Sequence, residues 1–315
     1  MARYVFGKLL QYVLVLIITS MVIFLLVRLG DVDPVSVVLG GKQSSPQTIE
    51  NVRREFGLDK SIPEQYINWV KGLLHGEFGK SFKYRQESGQ IIFARLPVTL
   101  SIVTIAALIA ILLSIPAGIL MAAKQHKWQD TGISVVQLIL VACPPFLTAT
   151  LMVWMLYLFS PQTAFTGSPR TFSELMERTF LPGVAMSFVM IALLSRIMKS
   201  GMTAELKSDY FLAAKAKGLS TAAVMRRHCL RNAIIPVITS LGMMIGILLV
   251  ESVLVEEVFS LNGLGVALVE AVGASDYPLV QGITMFMVFV FMTISTLLDL
   301  LYGVIDPRIR KGKAI

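Results

Sequence analysis

Charge is scarce in this 315-residue sequence: 15% of residues are Asp, Glu, Lys or Arg, against 55% hydrophobic ones, where a soluble domain carries roughly 25% charge. Water is therefore not its main solvent. Cysteine is nearly absent, and Cys143 and Cys229 fall in an apolar run and a polar loop respectively, so no disulfide framework staples an outer domain. His75, His126 and His228 lie on three separate loops, which argues against a metal site built from them. There is no Gly-x-x-x-x-Gly-Lys-Ser/Thr loop, no His-Glu-x-x-His and no Gly-x-Ser-x-Gly. The usual phosphate cradle and the common hydrolytic sites are thereby excluded. The chain is expected to be no enzyme and to hold no cofactor or metal.

What is abundant is uncharged length. Residues 9–27, 96–123, 131–159, 179–195, 232–250 and 277–298 contain no charged side chain, and crossing about 30 Å of hydrocarbon takes about 20 helical residues. An all-α membrane protein with six transmembrane helices is expected. The first run follows Arg3 and Lys8 like a secretory signal, but it is too long for one, and Gly30-Asp31 rather than a small-residue cleavage site follows it. It reads as a retained anchor. The connecting pieces are too short for a conventional soluble catalytic domain, the longest being 28–95.

Lys and Arg in short loops set orientation. With the N-terminus inside, the inner pieces 1–8, 124–130, 196–231 and 299–315 hold 16 of them, and the short outer pieces 160–178 and 251–276 hold 2. Both termini are expected in the cytoplasm. The net charge of +8 follows from that asymmetry, so no nucleic-acid partner is needed to explain it. None of the six runs contains a charged residue, and Glu251 and Asp299 stand at run ends. That weighs against a proton-coupled secondary transporter, which needs such a group inside. Pro116, Pro144-Pro145, Pro182 and Pro236 are expected to bend or interrupt their helices.

Two regions outside the spans have legible structure. In the outer segment, Ser45, Pro46 and Gly57 punctuate one helix. Pro63 to Leu74, ended by Gly76, spaces Tyr66, Trp69, Val70 and Leu73 as an amphipathic helix that either lies at the lipid interface or folds onto the bundle. In the inner piece 196–231, Ser208-Asp209 opens a helix through Tyr210, Phe211, Leu212, Ala213 and Ala214 to a corner at Gly218, and Ser220 caps a second one reaching Arg231. Its bases Lys215, Lys217, Arg226, Arg227 and Arg231 could rest on anionic headgroups. Alternatively, its alanines and aromatic pair form a docking knob for a cytoplasmic motor. Outside, Glu251, Glu256, Glu257, Glu270 and Asp276 occur with no base in 251–276. They read either as a mouth or docking surface, with Glu256, Glu257 and Asp276 as candidate contacts, or as ordinary avoidance of positive charge.

The run from Asp209 through Lys215, Lys217 and Gly218 to Ser220, followed by Arg227-His228-Cys229-Leu230-Arg231-Asn232-Ala233 and Pro236, resembles the cytoplasmic EAA loop of binding-protein-dependent ABC importer permeases. More narrowly, it is similar to the dipeptide, oligopeptide and nickel branch. Gly57-Leu58-Asp59, Gly76-Glu77-Phe78-Gly79, Arg95-Leu96-Pro97, Glu257-Val258-Phe259, Gly263-Leu264-Gly265, Asp276-Tyr277-Pro278 and Asp306-Pro307-Arg308 match the first permease subunit of that branch. Two departures are Leu212 at the eponymous acidic position and Asn262 where proline is usual.

The resemblance implies a type I importer permease fold divided as 1–30 (tail and first span), 31–95 (extracytoplasmic segment) and 96–315 (five-helix core with coupling loop 196–231). It implies import of short peptides or a nickel complex, with a second homologous permease, two ATP-binding subunits, an extracytoplasmic solute-binding protein and membrane lipid as partners. Asp209, Tyr210, Phe211, Ala213, Ala214, Lys217, Gly218, Arg227 and His228 would carry the coupling to ATP hydrolysis. The rival function is an ATP-independent secondary transporter or channel.

Overall fold

The computed structural model describes residues 2–29, 33–40, 44–159 and 169–305. Gly30-Asp31, residues 160–168 of the outer piece 160–178 and Asp306-Pro307-Arg308 lie outside those residues. The chain runs through α1 (Ala2–Arg28), α2 (Pro34–Val38), α3 (Pro46–Glu55), α4 (Ile62–Leu74), α5 (Ser88–Ala123), α6 (Trp128–Ala142), α7 (Pro145–Phe159) and α8 (Phe172–Leu206). Then come α9 (Asp209–Ala216), α10 (Thr221–Val224), a π-helical turn (Met225–Cys229), α11 (Leu230–Ala233), α12 (Ile235–Val258), α13 (Leu264–Gly273) and α14 (Tyr277–Ile305). The all-α expectation holds.

Among the described residues five helices are long and apolar enough to cross a membrane: α1, α5, α8, α12 and α14. The remaining expected span, 131–159, is instead two helices, α6 and α7, bent by 93°; counted together they make the sixth. Proline is the cause. The ring of Pro144 denies the residue before it helical geometry, and Cys143 sits extended at φ −100°, ψ 108°. Neither Pro144 nor Pro145 has an N–H to continue the ladder, and α7 restarts when Leu147 N and Thr148 N donate to Pro144 O at 3.0 and 3.1 Å. Pro116 and Pro182, by contrast, lie within the continuous helices α5 and α8, and Pro236 sits at the start of α12, where a missing N–H goes unnoticed. The helices also overrun the uncharged runs. Glu251 and Asp299 lie inside α12 and α14 rather than at their ends.

The chain forms two compact units, each discontinuous in sequence. One comprises Leu100–Ser260 with the chain from Ile294. Here α8 packs against α6, α7, α11 and α12. In a bilayer, apolar contact gives no advantage over lipid, so helices associate through close packing and a few polar bonds. Both devices are present. A Cβ on Gly118 would stand 2.5 Å from Met198 Cβ, and one on Gly183 2.5 Å from Ile105 Cγ2, so α5 and α8 meet backbone to side chain. Ser101 Oγ and Thr179 Oγ1 share a hydrogen bond of 2.7 Å, Gln137 Nε2 donates to Ser195 Oγ at 2.7 Å, and Lys199 Nζ pairs with Asp130 Oδ1 at 2.5 Å.

The other unit comprises Ala2–Thr99 with Leu261–Thr293. Its core is built from Ile91, Ile92, Leu264, Ala267, Leu279 and Ile283. The amphipathic helix expected from Pro63 is α4, and it packs on the end of α1. The Phe24 ring of α1 lies 5.2 Å from Tyr66 and 5.9 Å from Trp69, and Arg28 Nη2 donates to Gln65 Oε1 at 2.9 Å. Gly57 and Gly76 close α3 and α4 at φ +64° and +81°, as their sequence positions required.

Candidate functional site

The loop between α8 and α12 is a pair of capped helical pieces about a sharp corner. Ser208 is the extended N-cap residue of α9, but its hydroxyl turns back to donate to Glu205 O at 2.5 Å instead of capping α9. Asp209 places its charge in the first turn, where the helix dipole favours it. At the far end Gly218 takes φ +81°, Gly218 N donates to Lys215 O at 2.9 Å, and Leu219 N donates to Ala214 O at 3.3 Å. That pair of bonds is a Schellman closure, which needs a left-handed residue at the glycine position. Lys215 Nζ then reaches across the corner to Thr221 Oγ1 at 2.9 Å, and Ser220 Oγ accepts from Ala223 N at 3.3 Å.

The second helix does not run regularly to Arg231 as expected. It is interrupted by the π-helical turn, in which Leu230 N reaches back to Met225 O. Inserting a residue this way re-phases the helix: Val224, Cys229 and Ala233 are all buried, while Arg226, Arg227 and His228 stay exposed.

One carboxylate ties the pieces together. Glu205, in the last turn of α8, accepts a hydrogen bond from Tyr210 OH and another at 3.2 Å from Asn232 Nδ2. Partial burial of the hydroxyl and its bond to Glu205 push the Tyr210 phenol above its ordinary range, so it remains a donor; burial likewise raises the Cys229 thiol. Sequence reading missed Glu205. Its one signal was an acid in a C-terminal turn, where the helix dipole disfavours it.

The opposite property marks α9 itself. None of its residues is buried, and Leu212 and Leu219 are 60% and 43% exposed. Ala213, Ala216, Lys217 and Gly218 are exposed, and Phe211 and Ala214 are half-buried. A rigidly anchored corner thus presents alanines and leucines to its surroundings. Such a surface lets another backbone approach closely.

The candidate outer contacts divide. Glu257 is exposed, but Glu256 and Asp276 are fully buried, so neither offers its carboxylate to a docking partner in this conformation. Asp276 is a structural clamp. Its carboxylate accepts from Ser81 Oγ, from Phe82 N and Lys83 N at 3.0 and 3.1 Å, and from Leu279 N at 3.4 Å. The segment before α5 is thereby held to the first turn of α14. Glu270, not singled out as a contact, pairs with Arg95 at 3.2 Å and accepts from Tyr84 OH at 2.9 Å.

Comparison with known proteins covers almost the whole chain. Residues 114–311 match the family described as binding-protein-dependent transport system inner membrane component, and residues 1–103 match the N-terminal part of such membrane components. A Brucella abortus protein named for a peptide transport system permease is 36% identical over 98% of this chain and 99% of its own. A di/tripeptide transport system permease of Pseudomonas aeruginosa is 31% identical over 92% of this chain and 94% of its own. A Sinorhizobium fredii protein named for a peptide ABC transporter permease is 30% identical over 98% of this chain and all of its own.

Proposed function

Since this multi-pass membrane chain belongs to the binding-protein-dependent transport system inner membrane component family, we propose that it forms half of the translocation pathway of an ATP-driven importer of short peptides. A homologous permease supplies the other half, two ATP-binding subunits drive it, and an external solute-binding protein delivers cargo. Both termini face the cytoplasm of the inner membrane.

The observation that carries this reading is the uncovered, capped corner of α9 and Gly218. A basic loop resting on headgroups accounts for Lys215 and Arg226 but has no use for a Schellman closure, a Lys215–Thr221 bridge and a Glu205 anchor. A lever does. Closure of two ATP-bound motors displaces whatever is seated between them, and a corner that is rigid transmits that displacement to α8 and α12. Each bundle then shifts between inward and outward access, with the bound ligand states biasing the two populations. Asp209, Tyr210, Phe211, Ala213, Ala214, Lys217 and Gly218 form the seated part; Arg227 and His228 flank it on the π-helical turn. Peptides rather than nickel complexes are favoured as cargo by the names of the related permeases.

The test is reconstitution of the assembled importer in liposomes. ATP-dependent uptake of a di- or tripeptide is expected, together with retention of the ATP-binding subunits that is lost on deleting 209–228. Uphill uptake by this chain without ATPases would refute the lever. Uptake of a nickel chelate in place of peptides would refute the cargo.

A further inference from the structure

Where α5 turns into α6, the unit containing Leu100–Ser260 carries an open groove of about 430 Å³ between that turn and the last three turns of α8. Gln125 lines it from the turn, and Arg196, Lys199, Ser200 and Lys207 line it from α8. Three of the lining side chains are cations and none is an acid. Arg196, Ser200, Thr203 and Lys207 recur at the three-to-four spacing of one helix face, so α8 itself aligns the charges along the groove.

The groove has a fixed shape. Asp130, only 7% exposed, accepts from His126 N at 3.1 Å and pairs with Lys199 Nζ at 2.5 Å, which pins the turn against α8. That pair neutralises Lys199. Arg196 and Lys207 are exposed and have no ion-pair partner among the described residues. The carbonyl end of α8 favours a cation at Lys207, but its influence fades within the last turn, and Arg196 stands ten residues before Leu206. A general excess of Lys and Arg on one side of a membrane explains the sign of the charge. It does not explain an acid-free row on one helix face beside a groove.

The level in the membrane says what would fill it. Arg196 is the first charged residue after the uncharged run 179–195, and Thr131 opens the uncharged run on α6, so the groove begins where hydrocarbon ends. Trp128, the first residue of α6, is 79% exposed, as suits an indole at headgroup level. Pockets that hold small ligands are roughly 300–1,000 Å³, enough here for a glycerol phosphate headgroup. Basic pockets between helices at this depth match anionic phospholipid.

We propose that this groove binds an anionic phospholipid, whose phosphate sits at Arg196 while Lys207 adds its charge from the water end. The site lies outside the row of bases on 209–231, and it holds whichever cargo the chain moves.

The experiment uses the full chain, stripped of lipid in an uncharged detergent and titrated with phosphatidylglycerol, phosphatidylcholine or glycerol phosphate, with bound lipid counted by native mass spectrometry. Phosphatidylglycerol is expected to bind at least about 10-fold more tightly than phosphatidylcholine, and to raise the thermal midpoint. Arg196→Gln should weaken phosphatidylglycerol binding about fivefold, the size expected for one basic residue at an anionic surface, and Lys207→Gln should weaken it further when the two are combined. Neither change should lower the midpoint of the lipid-free protein, because both side chains are exposed and unpaired. Arg226→Gln, the same loss of charge on the π-helical turn, should alter binding by less than about twofold. Equal binding of the two lipids, insensitivity to Arg196→Gln, or an equal loss with Arg226→Gln would overturn the proposal. So would glycerol phosphate binding as tightly as phosphatidylglycerol, which would make the ligand a free phosphate. In the assembled importer, Arg196→Gln that releases the ATP-binding subunits but leaves lipid binding intact would overturn it in favour of an acidic protein surface.

Discussion

Substitution at Gly218 tests the lever most directly, because its cost comes from a single source. An added Cβ meets no atom within 4 Å, so crowding contributes nothing, and the whole penalty lies in the backbone at φ +81°. A residue other than glycine pays about 1–2 kcal/mol for a left-handed conformation, with Asn the least affected and β-branched residues the most. At 1.4 kcal/mol per factor of ten, that is about a 5- to 30-fold loss in the corner's closed population relative to its open one. If the ATP-binding subunit recognises only the closed corner, its apparent affinity falls with the closed fraction. Gly218→Asn, Gly218→Ala and Gly218→Val should therefore form a graded series, mild to severe, in affinity for that subunit and in peptide-stimulated ATP hydrolysis. Membrane insertion should be the same in all three. The readout is binding of the purified ATP-binding subunit to each variant in nanodiscs. A Gly218→Val protein that binds within twofold of the parent, or Asn and Val variants that lose binding equally, would refute the reasoning.

Asp276→Asn replaces an acceptor-only hub by an amide whose NH₂ faces donors, leaving buried N–H groups of Phe82 or Lys83 unmet. It should cost on the order of 3 kcal/mol and lower the thermal midpoint, while Glu257→Gln at the exposed neighbouring acid changes stability by less than about 0.5 kcal/mol. Gly118→Ala forces a Cβ to 2.5 Å from Met198 and 2.7 Å from Ser195 O, an overpacking that costs about 1–3 kcal/mol. Gly132→Ala, in α6 with open space around it, should stabilise by up to about 1 kcal/mol; denaturation of the two variants side by side checks the contrast. Tyr210→Phe and Glu205→Gln should each raise hydrogen exchange across α9 by loosening its anchor, by about 1 kcal/mol. Because the two residues form one bond, the double variant should fall short of the sum.

How much was legible varied with the kind of signal. The capped helices of the outer segment and the α9 corner follow from Ser45, Gly57, Gly76 and Gly218, because caps and left-handed stops are decided within four or five residues. The third span was read as a single helix from its uncharged length, and Pro144-Pro145 made it two. Its proline pair implies a bend or interruption, but local chemistry gives the break and not the 93° between the pieces. The outer acids were grouped by sign in 251–276, and burial then separated exposed Glu257 from Glu256 and Asp276. Glu205 escaped notice because its partners Tyr210 and Asn232 lie on different helical pieces, and no spacing rule joins them.

The order of residues alone settled that this is a membrane-spanning helical protein, and where its chain must turn. Hydrophobic length and backbone stereochemistry are properties of short stretches, so they can be read without knowing what the stretches touch. Tertiary structure alone decided which polar groups are satisfied and which are not. It buried Asp276 in a nest of donors, gave Glu205 its two partners, left α9 uncovered, and left the N–H groups of Trp69 and Gln281 buried without a partner among the described residues. Whether a polar side chain clamps, anchors or waits for a ligand depends on what distant parts of the chain place within about 3 Å of it, and that distance is set only when the helices pack.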